Sequence, residues 1–183
     1  MINTSNPGEN LCGLQRADFQ KVINGKQTDL FILKNESGAE VAITNYGGAV
    51  VAIMVPDKNG NYANVIQGHD TIDKTINSPE PFLSTLIGRY GNRIAKGKFE
   101  LDGVEYQLAV NNGPNHLHGG PTGYHARVWD AEQTDAQTLK LPISLPMAKK
   151  DSLAILTSPL STHSLMITNS KSIIQQLLIR RHS

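Results

Sequence analysis

The residues best equipped for chemistry lie together between positions 87 and 120, in IGRYGNRIAKGKFELDGVEYQLAVNNGPNHLHGG. A Gly-rich turn carries Asn92 and Arg93, and the stretch closes on Asn115, His116, Leu117, His118, Gly119 and Gly120. One amide, one guanidinium and two imidazoles make a dense set of hydrogen-bonding groups. Such a set can grip a polyhydroxylated ligand or polarise an oxygen. Arg93 offers a rigid fork of donors and stays charged at any working pH. His118 can donate or accept, depending on its tautomer. The plain alternative is a surface hairpin whose polar residues face water.

The intervening residues supply a way to bring these groups together. Residues 98–101 and 104–108 alternate as short strands and are joined through Asp102-Gly103, which predicts a hairpin. Upstream, residues 28–34 (TDLFILK) and 40–45 (EVAITN) read as paired strands with a turn at 35–38. Residues 46–48 (YGG) form a bend, and 49–55 (AVVAIMV) have the continuous apolar character of a strand buried on both faces. A Pro-Asp-Lys-Asn-Gly turn at 56–60 precedes a short strand at 65–68. Residues 70–81 predict one helical turn or a loop, and 124–130 (YHARVWD) a strand with Trp129 pointing inward. Another strand begins at 138–141. Short strands at close spacing, with Gly and Asn-Gly turns and no long helix, predict an all-β antiparallel sandwich.

With these motifs in order, the chain resembles the aldose 1-epimerase (galactose mutarotase) family. The likeness rests on the GR…NRI turn, the NHLHGG loop, TNYGGAVVAIMVPDKNG before them and PTGYHARVWDA after them. It extends from about residue 18 to 141. The fold implied is a partial galactose mutarotase-like β-sandwich (supersandwich). The expected organisation is a loose leader at 1–17, the N-terminal part of the sandwich at 18–141, and an aberrant tail at 142–183.

The tail differs in composition. All 16 glycines and every aromatic residue lie before Asp130. After Leu141 a single acidic residue, Asp151, stands against five lysines and arginines. A sandwich continued through this region needs turn glycines and inward aromatics, so the shift marks a break. The final SKSIIQQLLIRR spaces its apolar residues as one amphipathic helix would, with a disordered extension as the alternative. Back-translation of residues 147–156 in the frame starting at the third base of each preceding codon allows DGEEGFPGNL. From Thr157 onward the same shift allows DVTVIYTLTDDNKLKIDY. The first string resembles the family at this point, and the second is an alternating β pattern. A frameshift near Pro142, leaving a truncated chain, is the expectation.

Bulk properties exclude several classes. A net charge of +1 offers no attraction for nucleic acid or an anionic membrane. No stretch approaches the roughly 18 apolar residues of a membrane span, and the N-terminus lacks the pattern of a secretory signal. One cysteine, Cys12, rules out an intrachain disulfide framework and fits a reducing, cytoplasmic setting. His69 and His125 could join His116 or His118 around a metal, but no ligand spacing supports it, so no metal and no cofactor are expected. The Gly47-Gly48 and Gly119-Gly120 pairs read as backbone devices. Arg89 reads as an ion-pair partner, Lys96 and Lys98 as solvated, and His116 as packed or solvent-facing. Tyr124 and Trp129 could stack on a sugar or fill a core.

Mutarotation opens a hexose ring and recloses it on the other face, which takes a base for the anomeric hydroxyl and an acid for the ring oxygen. The resemblance implies that Asn92, Arg93 and His118 bind the sugar, an aldohexose such as galactose or glucose. It places the acid on a His in a later NHSYFN-like strand and the base on a Glu near the C-terminus. Neither motif occurs here; His163 has different flanks, and Glu132 lies too early. No catalytic residue is therefore assigned, and little or no activity is expected of this chain. A non-catalytic carbohydrate-binding sandwich is the rival reading, and a piece that does not fold stably is a third. Oligomeric state is left open.

Overall fold

The computed structural model describes residues 10–144 and the strand at 160–166. Its centre is a four-stranded antiparallel sheet of β3 (Leu30–Lys34), β4 (Glu40–Thr44), β5 (Val50–Pro56) and β6 (Tyr62–Asn64), following a small hairpin of β1 (Val22–Ile23) and β2 (Lys26–Gln27). Alternate side chains of the sheet feed two apolar clusters. Leu33, Val41, Ile43 and Ile53 pack with Leu86, Tyr124, Trp129, Leu139 and Leu141 on one face. Leu30, Ala42, Val51 and Ala52 pack with Phe19 and Ile72 on the other. Burial on both faces explains why β4 is buried at every position although its sequence alternates. Val51 has no partner on β4, because the register steps from Ala42↔Ala52 to Ile43↔Val50. This bulge turns Val51 to the same cluster as Ala52.

Beyond the sheet come the single helical turn α1 (Ile72–Ile76), then β7 (Arg93–Ile94), the hairpin β8 (Lys98–Leu101) and β9 (Val104–Gln107), and β10 (His116–Leu117). A three-stranded sheet of β11 (Glu132–Gln133), β12 (Thr138–Ser144) and β13 (Leu160–Met166) supplies Leu139 and Leu141 to the first cluster. The fold is all-β, with few and short helical turns. No helix among the described residues is long and apolar enough to cross a membrane.

Two expected strands are corrected. Residues 65–68 are not a strand: the ladder stops at Asn64, whose Oδ1 accepts from the Ile53 and Ile66 amides and so replaces a backbone acceptor. Residues 124–130 are not one either. Tyr124–Ala126 form a 3-10 turn, and the segment spends most of its backbone groups on remote bends, only Asp130 N–H reaching a strand, at Pro142 O of β12. Tyr124 N–H donates to Gly88 O, Trp129 N–H to Asn45 O, and Arg127 O accepts from Gly47. A lone bridge, Tyr46↔Val128, is all that remains of pairing. Trp129 nevertheless points inward, fully buried.

Residues 10–15 of the expected leader are tied down. Asn10 closes a turn through its side chain onto Leu14, Leu11 N–H donates to the buried Glu40 carboxylate at 2.6 Å, and Cys12 and Leu14 pack on the second cluster. Part of the expected tail, Leu160–Met166, is strand β13 here, antiparallel to β12. The helical reading of 170–181 and the reading of 1–9 as loose lie outside the described residues.

Candidate functional site

The site forms where β7 and β10 pair antiparallel, with Arg93 opposite Leu117 and Ile94 opposite His116. The β8–β9 hairpin is the excursion between the two strands. Its turn at Asp102-Gly103 has positive φ at both residues, as a type I′ turn requires. Phe99 stacks on Tyr106 at 5.0 Å, and Lys98 Nζ pairs with Glu105 at 2.9 Å. The pairing of β7 with β10 carries Asn92, Arg93 and His118 to one place, as the sequence predicted for the ends of the hairpin.

Asn92 and His118 then interlock. His118 N–H donates to Asn92 O at 3.0 Å, and Asn92 N–H donates to His118 Nδ1 at 2.9 Å. A backbone N–H can only donate, so Nδ1 is the unprotonated nitrogen and the ring proton sits on Nε2. The tautomer left open by the sequence is thereby set: His118 offers a donor at Nε2. Both residues hold left-handed backbone, with φ of 62° at Asn92 and 54° at His118. Asn tolerates this region; His pays a steric cost for it. Arg93 donates through Nε to Asn112 Oδ1 at 2.9 Å and through Nη1 to Asn92 Oδ1 at 3.3 Å. Arg93 and Asn92 are exposed and His118 is half-buried, so all three can meet a ligand from solvent.

The glycines make this approach possible. Gly119 has φ of 88°, and a Cβ there would run into the carbonyl oxygen of Gly88. At Gly123 a Cβ would stand 2.6 Å from His118 O. Behind His118 lies a ring cluster that sequence reasoning did not find. Phe82 meets His118 edge-on at 4.9 Å and His125 at 4.5 Å. His125 is 6% exposed, and its Nδ1 has no partner among the described residues. Burial, with a smaller contribution from His118, pushes its pKa below the ordinary 6.5, so it is neutral at pH 7. Phe82 and Asn112 reach the site only through tertiary packing, and no local motif marks them; His125, weighed from the sequence as a metal ligand, is placed here as a packed imidazole of the ring cluster.

The remaining candidates resolve differently. His116 is buried, with Nδ1 2.7 Å from Ala109 O, so it packs and donates rather than facing solvent. Tyr124 and Trp129 are core: both are buried and they pack edge to face at 5.0 Å. The described residues contain no group of three or more His, Cys, Asp or Glu able to hold a metal.

A guanidinium, an amide and an Nε2–H imidazole carried on one pair of short strands offer hydrogen-bonding groups of the kind that bind a polyhydroxylated ligand. The sequence profile of the aldose 1-epimerase family matches residues 29–150, more than half the chain. The chain belongs to that family. The match opens later than residue 18 and runs past 141, through the whole of β12.

Among its relatives, the pig (Sus scrofa) galactose mutarotase is 42% identical over 120 residues, which is 65% of this chain and 34% of that protein. The bovine (Bos taurus) galactose mutarotase is 43% identical over 89 residues, 49% of this chain and 26% of the relative. The aldose 1-epimerase of Escherichia coli K12 is 32% identical over 117 residues, 63% and 34% respectively. The chain thus spans about a third or less of the length of these family members. Of solved structures, an aldose epimerase homologue from C. elegans superposes with a TM-score of 0.68 at 25% identity, covering 78% of this chain and 42% of that one. A galactose 1-epimerase from Lactobacillus acidophilus gives 0.65 at 23% identity, covering 81% and 43%, and speaks for the fold alone.

Proposed function

We propose that Asn92, Arg93 and His118 grip an aldohexose such as galactose or glucose, and that these 183 residues bind the sugar without interconverting its anomers. The observation that carries the reading is the reciprocal Asn92–His118 bonding, which fixes an Nε2–H donor on the residue that holds Asn92, whose Oδ1 in turn accepts from the Arg93 guanidinium. Arg93 retains unspent N–H donors for sugar oxygens, and a neutral polyol demands no counter-charge from the face.

Anomer exchange needs more. A base must take the O1 proton while the C1–O5 bond breaks, and an acid must protonate O5 as its electron pair arrives; reclosure reverses both transfers. The acid and base motifs that the family resemblance implies do not occur in these residues. Loss of one such group commonly lowers a rate by about 10² to 10⁴. The single free thiol, Cys12, supports a reducing, cytoplasmic setting.

Isothermal titration with D-galactose and polarimetry on freshly dissolved α-D-galactose test the two halves. Millimolar binding with a rotation rate equal to buffer is expected. Absence of binding overturns the grip, and protein-dependent mutarotation overturns the lack of turnover.

A further inference from the structure

Arg93 is an exposed residue with a long, rotamer-rich side chain, yet two of its donors are already engaged. A guanidinium carries five N–H groups. With Nε given to Asn112 and one Nη1 hydrogen to Asn92, both Nη2 hydrogens and one on Nη1 have no partner among the described residues; one Nη2 hydrogen lies on the same edge as Nε–H and the other points to the far end of the fork.

Asn112 is well placed to hold that geometry. Its backbone is closed on itself by a tight turn, with N–H donating to Asn115 O at 3.1 Å and O accepting from Asn115 N–H at 3.0 Å. Gly113, inside the turn, has φ of 54°. The neighbouring asparagines fasten this turn to β10 and to the turn that follows β7. Asn111 grips Leu117, accepting its N–H at 2.7 Å and donating to its O at 3.0 Å. Asn115 Oδ1 accepts from Lys96 N–H at 3.2 Å. The carboxamide of Asn112 is therefore carried on the same frame as His118.

We propose that Asn112 is a positioning residue: by accepting from Nε it turns the Nη1/Nη2 end of Arg93 outward to meet sugar oxygens beside His118. The inference rests on the sugar-binding reading for its functional consequence, but not for its geometry. Holding the fork in advance removes part of the side-chain entropy that binding otherwise costs.

The test pairs galactose titration with side-chain NMR of the Arg93 Nε–H group, on the whole chain. In Asn112→Ala the Nε–H signal is expected to exchange with water at least about tenfold faster, and the galactose Kd to rise about tenfold, the range for a hydrogen bond to a charged group. Asn112→Asp, whose carboxylate also accepts from Nε, is expected to keep the slow Nε–H exchange and to bind within about twofold of the parent. A purely structural role for Asn112 predicts instead that both variants lose binding together while Nε–H exchange is unchanged, and that result overturns the proposal. So does an Ala variant equal to the parent in both readouts. Should the parent not bind galactose, the sugar reading fails, and the Nε–H comparison still decides what Asn112 does. Should Asn112→Ala not fold, the Asp variant decides alone: slow exchange upholds the role and fast exchange ends it.

Discussion

Asn92 and His118 hold each other twice, through Asn92 N–H to His118 Nδ1 at 2.9 Å and His118 N–H to Asn92 O at 3.0 Å. One bond pins the backbone, the other pins the ring and its tautomer. His118 is therefore oriented by the peptide chain itself, with no second side chain required.

His118→Ala removes the Nε2–H donor and nothing from the core. The galactose Kd is expected to rise by about tenfold or more, while the thermal midpoint hardly moves, because the freed Asn92 N–H lies where water can reach it. Titration and a melting curve on the same sample check both. A large fall in melting temperature would show that the residue braces the fold instead.

His125 makes stability depend on pH. Its pKa is lowered by burial and by His118, so the unfolded chain binds this proton before the folded one does. The sign follows: stability is fully present above about pH 6.5, and is lost as pH falls from there towards the depressed value of the folded state. His125→Phe should flatten that part of the curve. Urea unfolding at several pH values between about 5 and 8 measures it, and identical slopes for parent and variant would contradict the assignment.

Gly119→Ala puts a methyl group against the Gly88 carbonyl at a backbone angle that L-residues avoid. A cost of about 2 kcal/mol or more is expected, combining overpacking with left-handed strain. Galactose binding should weaken in parallel, since His118 is the adjacent residue. Denaturant melts of the variant read the first effect and titration the second.

Trp129→Ala empties the middle of the larger cluster, where Trp129 is fully buried and packs edge to face on Tyr124. A loss of about 3–5 kcal/mol is expected, enough to unfold a marginal domain at room temperature. Far-ultraviolet circular dichroism follows it, since the variant has no tryptophan left to report.

Local chemistry explains which features could be read in advance. The strands β3, β4, β5, β8 and β9 are written in residue type and bounded by turns with Gly or Asn-Gly, so pattern alone finds them. The clustering of Asn92, Arg93 and His118 followed from their flanking one hairpin. Residues 124–130 mislead because their Tyr, Val and Trp look like a strand, while the Tyr124 and Trp129 amides answer to Gly88 and Asn45, which are remote in sequence. Asn64 ends a strand by a side-chain bond that composition cannot display. Asn112 and Phe82 lay hidden for the same reason, since each acts across a tertiary contact and asparagine in NNGPN reads simply as turn chemistry; His125 stood out as a residue, but its packing on Phe82 did not.

The excursion between β7 and β10 closes on itself, with its own ring stack and its tip at Asp102-Gly103 facing solvent. Everything that aligns Arg93 with His118 lies at its base. That tip is accordingly a permissive splice point: a reporter peptide or fluorophore handle inserted there lengthens a solvated loop and leaves the geometry beneath it untouched.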